Sequence, residues 1–478
     1  MSKIRGMRRY GFLASSIGVS CAAALAFAPG LPAAAATAAG AEPASVASAS
    51  GAWAAGQAPV PGGTQSLPLV PLNRDNPADG AVPEQGLYRP DVRRFSLVGV
   101  IWDDPDTELH GSVRIRTRSA TTGAWSGWQD VDTHNADHGA DPGTAERISG
   151  HVRGATAPLW VGDCDGVDLR VRADAGDRGR GAAPVALPSG LRLELVDPGE
   201  QPPGAGPQPG QSATGDLDEE ASAASAATSA ATSASAVNAG LAPLGSTEMP
   251  ALDREDSERE LLALRGAELT AGQRAKPYIG PRPRIVTRRG WGADESLRDP
   301  GFVYTKKVRA AFVHHTASGN NYSCSQAPSV IRGIYRYHVK SMGWRDIGYN
   351  FLVDKCGNIY EGRAGGVAKP VLGAHTLGFN SDTVGIAVIG SYGNSKPAAA
   401  AVTAIARLTA WKLGLYGMNP LGKTYLKSGG GNLYQKGKNV RLNVISGHRD
   451  GYATDCPGRQ LYGKLGSARS AAARYQGR

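Results

Sequence analysis

Near the C-terminal end of the chain, three donors stand in a pattern suited to holding a metal. They are a histidine pair, His314-His315, closing an apolar run, together with His448 and Cys456 inside GHRDGYATDCPG, residues 447 to 458. Zinc takes imidazole nitrogen and thiolate sulfur in tetrahedral geometry, and a catalytic site keeps its fourth position for water. Two histidines and one cysteine meet that description. Taken singly each has a plainer reading, since a strand-end histidine is commonly hydrogen-bonded core and a lone cysteine inert packing. Taken together, with turn residues bracketing His448 and Cys456, they favour a site. Apolar residues flank both faces of AAFVHH (310 to 315), so strand alternation does not choose between His314 and His315.

Two other letter patterns carry no chemistry. GMNPLGKT, residues 417 to 424, matches the phosphate-binding G-x4-G-K-T pattern, which works only between a strand and a helix. Here an amphipathic helix precedes it, Pro420 interrupts it, and YLKSGGGN follows, so no nucleotide is expected. His448-Arg449-Asp450 has the letters of a kinase catalytic loop without the rest of that signature.

The elements that must position the donors read as α/β from about Pro277 onward. VRAAFVHH (308 to 315) predicts a buried strand. APSVIRGIYRYHVKSMG (327 to 343) predicts a helix with Val330, Ile331, Ile334, Tyr335 and His338 on one stripe. YNFLVDKCGNIYEGR (349 to 363) predicts a hairpin turning at Gly357-Asn358, VGIAVIG (384 to 390) a central strand, and 398 to 415 an alanine-rich helix. Ahead of this part, FSLVGVIW (95 to 102), SVRIRTR (112 to 118), VDLRVRA (167 to 173) and LRLELVD (191 to 197) alternate with turn residues between them. They predict an all-β, sandwich-like domain over 75–199. Trp125 and Trp128 suit a sugar-stacking platform, but are read first as core plus edge. The Ala/Ser/Pro/Gly-rich stretch 200–275 has too few large apolar residues to order itself and reads as a disordered linker, with a helix within 253 to 269.

The first 38 residues follow an export pattern: Lys3, Arg5, Arg8 and Arg9, an apolar run to about Ala28, then small residues suited to cleavage. A flexible lead-in, 39–74, follows. Arg8-Arg9 hints at twin-arginine export, and Gly18 argues against a lipoprotein signal at Cys21. No later stretch is apolar enough to span a bilayer, so no stable membrane insertion is expected once the signal is removed. The net charge of +10 is scattered, which suits solubility or an anionic wall polymer and fits nucleic acid poorly. In an oxidising compartment Cys164, Cys324, Cys356 and Cys456 suggest two bridges, unless one cysteine binds metal.

RRGWGADES (288 to 296), AAFVHHTAS (310 to 318), YHVKSMGWRDIGYNFLVDKCGNIYEGR (337 to 363), GAHTLGFNSDTVGIAVIG (373 to 390) and GHRDGYATDCPG together resemble the peptidoglycan recognition protein domain. That family includes zinc-dependent N-acetylmuramoyl-L-alanine amidases. The resemblance runs over about residues 277 to 475 in the family's order, within a domain spanning 276–478. It implies a mixed central β-sheet flanked by helices, with one Zn2+ held by His314, His448 and Cys456. It implies that Tyr349 and Thr454 stand at the reacting carbonyl, and that His338, Trp344, Arg363, His375 and Asn380 line a substrate groove. It further implies a Cys324–Cys356 disulfide, leaving Cys164 unbridged.

The activity so implied is hydrolysis of the amide between the lactyl group of N-acetylmuramic acid and L-alanine in peptidoglycan, by a secreted, wall-associated and monomeric bacterial protein. The alternative is a module that binds peptidoglycan without cutting it. Members of that kind typically lose the cysteine ligand, which this chain keeps.

Overall fold

The computed structural model describes residues 62–72, 82–175, 185–200 and 222–478. The expected export signal and the stretch 201–221 lie outside the described residues.

The N-terminal module is one antiparallel assembly. Strands β1 (Gly63–Pro68), β2 (Glu84–Arg89), β3 (Phe95–Trp102), β5 (Leu159–Ala173) and β6 (Arg192–Asp197) lie in the order β1-β6-β3-β5-β2, and β4 (Gly111–Ser119) pairs with β5 off this path. The fifteen-residue β5 joins its parts, pairing with β3 through its first half and with β2 and β4 through its second. Each of the four alternating runs lies in one of these strands. In β3 every residue but Ser96 is buried, because the strand is covered on both faces. Val98, Val100 and Trp102 enter the module's own core, while Leu97 and Ile101 point the other way, into a second cluster.

Trp125 and Trp128 are not core residues. Tyr88 stacks on Trp125 with ring centroids 5.6 Å apart, and the Arg116 guanidinium lies over both indoles, 5.3 and 5.2 Å from their centroids. In β4 the arginines alternate with buried Val113 and Ile115, so on the outward face the indoles find arginines and not aliphatic partners.

The alanine- and serine-rich stretch becomes helix α1 (Ser222–Ala236) where it is described. Alanine has the best intrinsic helix propensity. Contacts just beyond the helix anchor it: Asn238, buried, donates to Glu361 Oε1 (2.8 Å) and accepts from the Val367 amide (2.9 Å). Helix α2 (Arg254–Arg265) follows, capped by the Asp253 carboxylate on the Asp256 amide.

The C-terminal module contains β7 (Ala310–His315), α3 (Ala327–Arg336), β8 (Phe351–Val353), β9 (Ile359–Glu361), β10 (Thr383–Val388), α4 (Ala399–Gly414), β11 (Ile445–Gly447) and α5 (Leu465–Gln476). Its sheet runs β9-β8-β10-β7-β11, with only the β8–β9 hairpin antiparallel among these pairs. Parallel strands covered on both faces read as continuous apolar runs, which is why AAFVHH shows no alternation. Cys324 and Cys356 form a disulfide (S–S 2.00 Å) between the segment entering α3 and the hairpin turn. Cys164 and Cys456 are free and buried. The GKT letters fall at a turn leading into a strand, Lys423–Lys427, with no helix behind them. No helix among the described residues is long and apolar enough to cross a membrane.

The two modules share a core. Leu97, Ile101, Val152, Trp160 and Val196 cluster with Val330, Ile334, Tyr337 and Trp344. Gly99 allows a close approach, since a Cβ there would stand 2.3 Å from the Tyr337 hydroxyl oxygen. That hydroxyl instead donates to Thr156 O at 3.1 Å.

Candidate metal centre

Strand register sets the first two donors side by side. In β7, His314 shares the face of Ala310 and Phe312, while His315 follows Ala311 and Val313 to the other face. Val313 pairs with Gly447 of β11, so His314 and His448, each one residue further on, meet beyond the end of the pairing. Their Nδ1 atoms lie 3.1 Å apart. The segment after His448 folds back at once: Gly451 and Tyr452 donate to His448 O, Arg449 donates to Cys456 O (3.0 Å), and the Cys456 amide donates to Thr454 Oγ1 (3.1 Å). This brings Cys456 Sγ to 3.7 Å from His314 Nδ1.

A tetrahedral zinc with ordinary bond lengths has N···N edges of about 3.3 Å and N···S edges of about 3.6 Å. The observed separations fit that ion. His314 is held from behind, its Nε2 lying 3.2 Å from His375 Nδ1 and 3.4 Å from Thr376 Oγ1. Such backing fixes the ring so that the other nitrogen faces the metal. Burial, reinforced by the neighbouring histidines, pushes the His314 pKa well below the usual range, and burial takes His448 down to about 3. Both rings are therefore neutral, as ligation requires. Burial pushes the Cys456 thiol well above its ordinary value. His315 is turned away and accepts from the Tyr392 amide (3.2 Å), which leaves His314 as the ligand candidate of the pair.

A fourth donor comes from outside the C-terminal module. His138, in the N-terminal module's segment between β4 and β5, joins His314, His448 and Cys456 in a buried group whose ligand atoms all lie within 4.8 Å of one another. Its Nδ1 is 2.9 Å from Asp137 Oδ1, leaving Nε2 buried without a hydrogen-bond partner. Its ring meets His448 edge-on at 4.6 Å between centroids and Tyr349 at 5.8 Å. In the sequence, DTHNADHGADPG reads as a polar turn, and only its density of histidine and aspartate could have drawn attention to it.

The expected groove residues surround this centre. Tyr349 lies 5.6 Å from the His314 ring, and burial pushes its phenol well above its ordinary range, so it remains a neutral hydroxyl donor. His338 stacks on Trp344 at 4.5 Å and accepts the Gly348 amide at Nδ1 (3.2 Å). His375 sits behind His314 and does not face an opening. Arg363 makes a bidentate pair with Glu146 (both 2.9 Å), and Asn380 donates to Asp141 Oδ1 (2.7 Å) and Gly139 O (2.8 Å).

The mixed sheet with an imidazole–thiol cluster at its strand ends defines a domain of the amidase and peptidoglycan-recognition class. Residues 304–459 match the family model described as N-acetylmuramoyl-L-alanine amidase, and residues 51–202 match that described as Rv3811 N-terminal galactose-binding domain-like. Peptidoglycan-recognition protein SC2 of Drosophila simulans is 30% identical over 183 residues, covering 38% of this chain and 84% of the relative. Peptidoglycan-recognition protein SA of Drosophila melanogaster is 32% identical over 151 residues, covering 31% and 71%. The solved structure of wild-type Drosophila PGRP-LB aligns over 38% of this chain and 92% of its own, with 26% identity and a TM-score of 0.30. The chain belongs to the peptidoglycan-recognition protein family. Its N-terminal module is galactose-binding-domain-like.

Proposed function

We propose that the chain is a zinc-dependent N-acetylmuramoyl-L-alanine amidase, acting outside a bacterial cell on the amide between the muramic lactyl group and L-alanine of peptidoglycan. The observation that carries this reading is the convergence of His314, His448 and Cys456 at separations that suit one zinc ion. A module that only recognises wall fragments has no need of a buried thiol among neutral imidazoles.

Bound zinc supplies a Lewis acid and an activated water. The chain's own groups do the rest. His375 and Thr376 hold the His314 ring in place. The Tyr349 hydroxyl donates a hydrogen bond to the carbonyl oxygen as negative charge develops on it. Thr454 braces the Cys456 loop through its hydroxyl and stands ready at the same oxygen. His338, Trp344, Arg363 and Asn380 orient the glycopeptide. The protein acts as a monomer, without nucleotide or nucleic acid.

The test is release of N-terminal L-alanine from purified sacculi by the zinc-loaded chain, beside Cys456→Ser and a chelator-treated sample. Release that vanishes in both controls supports the reading. Equal release from Cys456→Ser removes the cysteine from the ligand set, and binding to sacculi with no release from any form, His138→Ala included, favours recognition alone.

A further inference from the structure

The residues expected to receive substrate do not face solvent. His338, Trp344, Arg363, His375 and Asn380 are 3, 4, 7, 0 and 1% exposed, and His314 and His448 are fully buried. One stretch of the N-terminal module, residues 132–148, which runs between β4 and β5 without helix or regular strand, lies against Arg363, Asn380 and the metal donors.

This stretch is fitted to the site by its functional groups. The Asp137 carbonyl accepts the Leu377 amide at 2.9 Å, and His138 joins the three metal donors. Gly139 turns the chain directly afterwards at φ 137°, a conformation that side chains other than glycine rarely adopt, and its carbonyl accepts from Asn380. Asp141 Oδ1 accepts from the Gly378 amide (2.8 Å) and from Asn380 Nδ2. Glu146 takes both terminal nitrogens of Arg363 and, at 3.2 Å, the Arg345 amide. The position of a Cβ on Gly139 would be 3.8 Å from the Trp344 indole.

Two features separate this from ordinary packing between modules. A catalytic zinc has three protein ligands and an open fourth position, whereas four protein donors are the set of a closed site. And carboxylates of one segment engage two of the polar side chains that a groove would offer to a ligand, Arg363 and Asn380. A Glu–Arg pair this buried, with 6% exposure on each side chain, leaves neither group for a second partner.

We propose that residues 132–148 are an internal plug, with His138 taking the coordination position that catalysis needs for water and with Asp141 and Glu146 holding Asn380 and Arg363, so that the folded chain keeps its own site closed. The inference rests on the amidase reading for its meaning, while the closure itself is a statement about coordination and access. The chain on either side is tied down independently: Asp132 O accepts the Ala157 amide (2.9 Å) within the N-terminal module, and beyond the segment the Arg153 amide donates to Met342 O of the other module (3.0 Å). Opening by displacement of the segment leaves both of these contacts in place. A two-state segment whose open form is a minor population gives low activity that rises when the closed form is weakened.

The decisive experiment replaces zinc by Co(II) in the full chain and adds azide as a small probe ligand, with the visible absorption spectrum as readout. A plugged wild type keeps its spectrum, because no exchangeable position exists, while His138→Ala gains a position and its spectrum shifts with azide. In parallel, alanine release from sacculi should rise at least ~tenfold in His138→Ala and in Asp141→Asn/Glu146→Gln, the gain expected when an open form at ~10% or less becomes dominant. An azide-sensitive wild-type spectrum overturns the plug. The wild-type measurement decides alone if a variant fails to fold. An inert wild-type spectrum, an azide-sensitive variant spectrum and no release from either protein would uphold the plug and remove the amidase reading.

Discussion

Replacing Glu146 by alanine tests how firmly residues 132–148 are clamped. Glu146 and Arg363 are each almost fully buried and share two contacts of 2.9 Å. Burial alone would raise the Glu146 pKa, but the Arg363 charge and its hydrogen bonds hold it below the ordinary value. Removing one partner of a buried pair leaves an uncompensated charge and costs about 3–5 kcal/mol. The lower end applies, because Arg363 also donates to Ile347 O (2.8 Å) and Asp346 O (3.3 Å), which solvate the guanidinium in part. With an unfolding entropy of about 2.1 cal/mol/K per residue, a 478-residue chain has roughly 1 kcal/mol per kelvin, so Tm should fall by about 3 °C.

The sign with pH follows from the depressed carboxylate. The pair's contribution is fully present above the unfolded glutamate value and is lost as pH falls through the lower folded value. The difference between wild type and Glu146→Ala should therefore shrink on acidification below about pH 4.5. The assay is scanning calorimetry of wild type, Glu146→Ala, Arg363→Ala and the double variant. Coupling should make the double variant cost less than the sum of the singles by about 2 kcal/mol or more. A single-variant loss under about 0.5 kcal/mol, as at an exposed pair, would refute the burial argument.

Two further outcomes follow from the same geometry. Gly99→Val sets a branched side chain where a Cβ alone would stand 2.3 Å from the Tyr337 hydroxyl; it should destabilise by about 1–3 kcal/mol or more, and an unchanged urea midpoint would show that the inter-module contact yields freely. Zinc loading should release about one proton near neutral pH: Cys456 starts as a thiol and must ionise, whereas His314 and His448 are already neutral. Apparent affinity then rises about tenfold per pH unit, and calorimetry in two buffers of different ionisation enthalpy reads the proton count, zero being the contrary result.

Much of the scaffold was legible because its signals are local. Alternation marked β3 to β6, a helical stripe marked α3, and His314, His448 and Cys456 stood out by donor type. What alternation could not decide, the side of His314 against His315, was decided by which residues share a face with Ala310 and Phe312. From sequence the stretch 222–236 reads as linker because its small side chains bury little; its helix depends on anchors such as Asn238 that pair over more than a hundred residues. Residues 132–148 were opaque for a related reason. Their partners, Arg363, Asn380 and His448, lie more than two hundred positions away, and a docked loop leaves no periodicity in the sequence.

The shared core also sets a schedule for synthesis. The side of β3 that carries Leu97 and Ile101 is finished only when Ile334 and Tyr337 reach it. At about 5–20 residues per second the ribosome needs on the order of ten seconds between completing β6 and delivering α3. During that interval the nascent N-terminal half carries an unfilled apolar face, so the first module to be made waits for part of the second before its own surface is finished.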